Sequence, residues 1–574
     1  MELIEIPMHN SILLRGLCYF NKDNNIKKSS NVVLSMSPYR IFEDTEEIKS
    51  FGKFISNMVN PCHYIYMDIR GTGESDGVAT NEYSTDEILD TMQCLIFIRN
   101  QIWSNKIIIM HGLSYSAFNA LQSCSNSIKP DALFLMHVSN DRWYNDVHYF
   151  SGVKTITEDL NYSFAMTGEN LLSCNRCLTK DRYNNNDIPW FMKWMRQGHR
   201  RNKEWYNGMI NDKLPPTFLI CGWRDSYSPT AVILSNLTSF TLIGPFGHTY
   251  PYNHNTLFEW WINYIKKNKI SKKPYCIVIP TPRSLWKLGY YRVPAYISQK
   301  IQSSDFNISI NNNVILKPDL VGDTLEVYIS GDPYNEPTLD SVQNDLLRNN
   351  CGYKYIIYPL QNILSYNNFI WGIPYIMFDC KEYKKGDYIV ARLTTDTGET
   401  LSVGVGRIVN GNNIIDMRPF FIPIDIDTRI YLFLNRSWVP VLYPTTNMNT
   451  VTLNNIKIKL PIINTRKCYP LNIFPHKNDI ELLKDVKPKK KYKDNVLVYK
   501  VINDNSKDFK EYLTATFNLG KETHVVVKDY YHDINTITEV ISNKTDEFKI
   551  NIKAYKNKKG INTFIQEWNM NHTI

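Results

Sequence analysis

The chain is predicted to be an α/β protein, with a mainly parallel sheet, an inserted helical cap and an all-β sandwich that follows. Three features of its 574 residues carry this prediction. Apolar β-branched runs alternate with helical patterns before residue 274. A segment rich in Trp, Tyr, Asn and Arg interrupts that alternation at 141–213. Beyond 274, short strands punctuated by Gly, Pro, Asn and Asp take over.

The strand signals come first. NVVLSM, CHYIYMDI, NKIIIMHG, DALFLMHV, PTFLICGW and SFTLIGPF are nearly continuous apolar runs. Such runs suit strands covered on both faces, as in a parallel sheet. Between them, TDEILDTMQCLIFIRNQI opens on a Thr-Asp-Glu start signal and spaces its apolar residues for a helix. SAFNALQSC and NTLFEWWINYIKKN read the same way, and strands alternating with helices argue right-handed crossovers. The resulting organisation is a core at 1–140 and 214–273, a cap at 141–213 with helical pieces such as DIPWFMKWMRQ, and a sandwich at 274–574. DTLEVYISGD, DYIVARLTTDTGE, RIYLFLNRS and TVTLNNIKIKLPI carry the sandwich. The tail beyond about 495 either completes it or forms an addition.

Composition narrows the function classes. A net charge of +9 is thinly spread, and the one basic run, VKPKKKYKD, reads as a solvated linker. No zinc-finger, RNA-recognition or basic-zipper signature occurs, so no nucleic-acid partner is expected. The opening MELIEIPMHNSILLRG does not read as a secretory leader, and no apolar stretch approaches a membrane span. The 11 cysteines suggest reduced thiols and a cytoplasmic protein. Cys174 and Cys177 form a lone C-x-x-C, half of a zinc site with no partner pair, so neither a metal nor a cofactor is expected.

The chemistry centres on IIIMHGLSYSAFNAL, where a strand runs into a helix with Ser114 at the corner. Serine needs a general base, a carboxylate to orient that base, and donors for the oxyanion. When the serine stands on a strand-to-helix turn, acid and histidine follow it in chain order, each after a later strand. Gly112 permits the turn, and Ser116 stands where a small residue is needed. G-x-S-x-S alone is more readily a structural turn than a nucleophile elbow. However, Asp225 follows TFLIC and His248 follows FTLI, so all three groups fall in order at strand ends, where open α/β sheets gather ligands. His111, His199 and His254 fit less well. Asp68 and Arg70, in YMDIRGTGESDG, read as a structural pair shaping a loop, and that stretch does not have dinucleotide-fingerprint spacing.

These segments resemble the cocaine esterase and X-prolyl dipeptidyl-peptidase (CocE/NonD) group of serine hydrolases along nearly the whole chain. VVLSMSPYR, MDIRGTGESDG, GLSYSAF, RWYNDVHYFSGV, CGWRDSY, IGPFGHTYP and NRSWVPVLYPTTNMNTVTL carry the resemblance in order. It implies an α/β-hydrolase core, a helical cap and a jelly-roll (galactose-binding-like) C-terminal domain. It also implies Ser114 as nucleophile, Asp225 and His248 as acid and base, and an oxyanion hole from the Tyr39 phenol and the Tyr115 N–H. Trp143, Tyr144, Trp190 and Trp194 would wall a pocket for a small ester, amide or short peptide, or they form the cap's core. Ser116 departs from the family's glycine, and several expected sandwich segments are missing. An X-prolyl peptidase would also need an anionic group for the substrate's amine; Glu158, Asp159 and Glu169 are the cap candidates, none of them placeable. The reading leans to an esterase or acylase. The alternative is a decayed relative that binds through its jelly roll.

Overall fold

The computed structural model describes residues 1–155 apart from 24–25, 28 and 43–44, isolated positions between 162 and 205, and 213–267 apart from 224 and 252. It also describes 274–296, 306–317, 353–357, 368–471 with short gaps, and the strand backbones between 489 and 573. Strands β1 (Glu2–Pro7) and β2 (Leu13–Tyr19) form an antiparallel pair at one edge of the main sheet. β3 (Ser30–Ser37), β4 (His63–Asp68), β5 (Ser104–Leu113), β6 (Ala132–Met136), β7 (Thr217–Gly222), β8 (Phe240–Gly244) and β9 (Tyr275–Val278) run parallel to one another. Their spatial order is β1-β2-β4-β3-β5-β6-β7-β8-β9.

β6, β7 and β8 are buried at every position, which explains why their sequences are continuous apolar runs rather than alternating ones. Helices α1 (Thr45–Asn57) and α5 (His254–Lys266) pack on one face through Ile48, Phe51, Leu257 and Trp261. Helices α2 (Thr85–Arg99), α3 (Tyr115–Gln122) and α4 (Ser228–Leu234) pack on the other through Leu95, Ile98, Leu121 and Val232. The start of α2 is capped by Ser84, whose side chain accepts the Glu87 N–H at 3.2 Å.

The sheet runs past residue 273. β9, β10 (Tyr290–Pro294) and β11 (Tyr469–Leu471) extend it, the last two antiparallel, to 11 strands. The antiparallel region beyond it comprises sheets built on Tyr375–Cys380 and Val451–Leu460, on Tyr388–Thr395 and Ile430–Asn435, and on Asn368–Gly372 and Phe420–Ile424. Ile376, Ile389, Ile370 and Leu432, drawn from all three sheets, share one apolar core. DTLEVYISGD lies outside the described residues. The tail forms a separate seven-stranded antiparallel sheet in which successive strands pair. Its first strand, Lys489–Lys493, is the basic run, which is therefore a strand and not the linker expected.

Candidate active site

The turn between β5 and α3 carries Ser114 with φ 57° and ψ −119°. A non-glycine residue rarely occupies this region, at a cost of roughly 1–3 kcal/mol, and such strain clusters at functional sites. Two backbone bonds hold it: the Ser114 N–H donates to Met136 O at 3.0 Å, and Ser114 O accepts from the Phe118 N–H at 2.9 Å. The sequence folds tightly here because Gly112 has no Cβ; one added there would overlap the backbone of Ser116 and Ala117. Ser116 is 4% exposed against this contact, which accounts for a small residue at that position. Ser114 itself is half-buried. The N–H of Tyr115 is the first of α3 and has no acceptor within the helix.

Asp225 and His248 meet beyond the carboxyl ends of β7 and β8, the same edge of the parallel sheet at which β5 delivers Ser114. His248 Nδ1 lies 2.6 Å from Asp225 Oδ2, and the other carboxylate oxygen accepts the Tyr227 N–H at 2.8 Å. Asp225 is fully buried. Burial would raise its pKa, but His248 and His137, both close to the carboxylate, hold it well below the usual carboxylate range. The two loops approach closely because β7 ends in Gly222, where a Cβ would overlap the Phe246 carbonyl.

Tyr39 follows β3, its ring edge-on to that of Tyr115 with centroids 6.2 Å apart. The phenol of Tyr162, in the 141–213 segment, is hydrogen-bonded to that of Tyr39. Asp68, buried at the end of β4, fixes the backbone after Tyr39 by accepting the Ile41 N–H at 2.9 Å, and it accepts the Glu74 N–H at 2.8 Å. Burial pushes its pKa up to about 7. Arg70 does not pair with Asp68 as the sequence suggested. It reaches Asp90 on α2 at 2.7 and 2.5 Å, because Asp68 is already occupied by backbone donors. Behind Tyr115, Glu87 accepts the Tyr115 phenol at 2.9 Å and Asn119 Nδ2 at 2.8 Å.

The aromatic residues of the 141–213 segment divide. Trp194 is 2% exposed, stacks on Tyr162 and donates its indole N–H to Ser163 Oγ at 2.6 Å, so it packs as core. Tyr144 donates to Asp416 in the antiparallel region at 2.8 Å. Trp143 is half-buried near Tyr149, and Trp190, Glu158, Asp159, Glu169 and His199 lie outside the described residues. A buried charge cluster supports this side of the site. Arg142 pairs with Glu82 and approaches Asp146 at 3.7 Å, His148 Nε2 lies 3.2 Å from Glu82, and Tyr227 donates to Asp146 at 3.2 Å. His111 turns to the α1 and α5 face, with its Nε2 3.0 Å from His254 Nε2. Burial lowers both pKa values, that of His254 to about 4. Eight described cysteines are free and buried, but Cys174 is disulfide-bonded, in contrast to the all-reduced expectation.

His137, at the end of β6, is a residue that sequence reasoning missed. It is fully buried, has φ 53°, and places Nδ1 2.8 Å from Asp225 Oδ2 and Nε2 2.9 Å from Thr249 O. The available signal was its position, at the carboxyl end of the strand next to β5. His137, Asp225 and His248 are also the one group among the described residues with metal-ligand spacing. Contacts of 2.6 and 2.8 Å between these atoms are hydrogen-bond and ion-pair distances. Ligands at about 2.0–2.1 Å around a tetrahedral zinc would stand more than about 3 Å apart, so the arrangement does not fit a metal.

A mostly parallel sheet in this order, followed by antiparallel sheets, defines the α/β-hydrolase fold with a C-terminal β region. Residues 26–239 match the family model of the X-Pro dipeptidyl-peptidases (S15 family), and the fold is that of the CocE/NonD family hydrolases. A CocE/NonD family hydrolase from Staphylococcus aureus is similar at TM-score 0.57 and 11% identity, over 80% of this chain and 92% of that one. An aminopeptidase from a marine sediment archaeon of the Thaumarchaeota reaches 0.59 at 13% identity, over 81% and 96%. An α-amino acid ester hydrolase reaches 0.53 at 12% identity, over 80% and 96%. No curated protein sequence matches the chain.

Proposed function

We propose that the chain is an esterase or acylase that works through an acyl-enzyme on Ser114. The observation that carries this reading is the left-handed Ser114 turn beside an Asp225–His248 pair at 2.6 Å. Asp225 takes the Nδ1 hydrogen of His248 and leaves Nε2 as the base. His248 removes the Ser114 proton as Oγ attacks the substrate carbonyl. The Tyr39 phenol and the Tyr115 N–H stabilise the oxyanion, acting where negative charge develops. His248 then gives its proton to the leaving group and activates the water that hydrolyses the acyl-enzyme.

The lean to esters rests on charge. An X-prolyl peptidase needs a carboxylate for the substrate amine. Near the acid loop, Glu82 is engaged by Arg142 and His148, while Asp146 accepts from Tyr227 and lies 3.7 Å from Arg142, so the protein's own side chains already occupy both carboxylates. A fluorophosphonate probe is expected to label the wild-type chain and Ser116→Gly, and to fail with Ser114→Ala. Hydrolysis of aryl and aminoacyl esters should exceed that of dipeptidyl-proline amides. Labelling that survives Ser114→Ala removes the assignment. A folded chain that never labels turns the reading toward a binding protein.

A further inference from the structure

We propose that His137 is a positioning residue of this site, a second histidine that shares Asp225 with His248 and holds the acid and histidine loops in register. The inference rests on the reading of Ser114, Asp225 and His248 above.

The geometry argues it in three steps. First, His137 bridges the two loops. Its Nε2 is 2.9 Å from the carbonyl of Thr249, the residue after His248, and its Nδ1 is 2.8 Å from the same Asp225 oxygen that receives His248. Second, the ring carries a hydrogen on each nitrogen. A carbonyl oxygen can only accept, so Nε2 is protonated. With Nε2 protonated, a neutral ring would turn the Nδ1 lone pair toward a carboxylate oxygen at 2.8 Å, an arrangement that repels. The 2.8 Å contact helps hold Asp225 in its ionised form. Third, the backbone is strained to place the ring. His137 has φ 53° and is fully buried, and its N–H is tied to Ile220 O at 2.9 Å, between β6 and β7. Simple packing does not require a histidine in a left-handed conformation beneath a carboxylate.

The consequence is electrostatic. The charged groups facing His137 are Asp225 on the β7 loop and His248 on the β8 loop, whose ring centroid is 5.3 Å away. The Cys221 thiol on β7, buried near Asp225, is neutral because burial raises its pKa well above the ordinary thiol value. The His137 cation balances Asp225. His248 therefore has a well-placed acceptor without the full pull of an unbalanced carboxylate.

Two variants separate the contacts. His137→Asn keeps a donor near the Nδ1 position, and His137→Gln keeps one near Nε2 for the Thr249 carbonyl. Both lose the charge. Each is expected to fold and label on Ser114, with kcat reduced about 10-fold or more and KM within about twofold. In both, the acid limb of kcat/KM should move up by about one pH unit, since an unbalanced Asp225 favours the His248 cation. Folded variants with an unchanged rate and an unmoved limb would overturn the role. Should both variants fail to fold, histidine-selective 15N spectra of the wild-type chain at pH 7.5 still decide. A ring with both nitrogens protonated is expected, and a spectrum of neutral rings alone would overturn it. If the wild-type chain does not label at all, the Ser114 reading fails, while the 15N result still reports on His137.

Discussion

At Glu87 the side chain is fully enclosed between α2 and α3, and its carboxyl is held by Tyr115 and Asn119. Burial pushes its pKa up to about 7, against the opposing effect of those two hydrogen bonds. The folded chain therefore keeps a proton that the unfolded chain releases at about pH 4.3. Stability falls as pH rises from about 4.3 toward about 7 and is flat above, because the native state binds the extra proton only within that window. Asp68, also at about 7, adds a fall of the same sign. Glu87→Gln keeps an oxygen for Asn119 and lets its amide donate to the Tyr115 oxygen. The variant should show a smaller drop in Tm than wild type between pH 5 and 7.5, a difference of order 1–3 kcal/mol in stability. Equal slopes in a paired thermal series would refute this. None of it was legible in sequence, where Glu87 stood only as part of a helix start signal. A carboxyl's burial depends on Tyr115 and Asn119, 28 and 32 residues away.

Between elements, the decisive contact is β7 against the loop after β8. A Cβ on Gly222 would collide with the Phe246 carbonyl, two residues before His248. Gly222→Ala should push that loop outward and separate His248 from Asp225. A shift of about 1 Å in a reacting group costs roughly 10²-fold, so kcat/KM should fall by about that factor while the far-ultraviolet spectrum stays unchanged. Retained activity would mean that the backbone absorbs the clash elsewhere. The sequence made this region readable because Asp225 and His248 each follow an unbroken apolar run, and chain order did the rest. His137 follows the same kind of run in DALFLMHV, but no ordering rule points to a second histidine, so the run was read only as a strand. Helix α1 was missed as well. Its Ile48, Phe51 and Ile55 do fall on one buried face, but Gly52 at mid-helix and the surrounding Lys and Ser residues weaken the helical signal.

For the whole molecule, the alternation before residue 274 specified the parallel core well, since strands buried on both faces write themselves as apolar runs. The limit of that core was less legible, because YCIV and YYRVP read alike whether they join the main sheet or a sandwich. Their placement joins the two regions physically. Thr281 and Phe421 exchange hydrogen bonds at 2.9 and 2.8 Å, Trp371 donates its indole N–H to Pro294 O at 3.0 Å, and Trp223 and Trp371 meet edge to face. Phe369, Trp371, Phe421 and Ile463 belong to the same apolar cluster as β5 and α3. The strand carrying Ser114 is thus packed within a core that the antiparallel region completes, and the two should unfold together. Trp371, 2% exposed, is the test position. Trp371→Ala should cost about 3–5 kcal/mol, the range for removing a large buried aromatic. Fluorophosphonate reactivity should then be lost at the same lowered temperature as the antiparallel region's tryptophan signal. A chain ending at residue 273 lacks β9 and every one of these contacts, and it should not yield a soluble, probe-reactive protein. Two separated transitions in calorimetry, with reactivity surviving the first, would show that the hydrolase core stands without its partner.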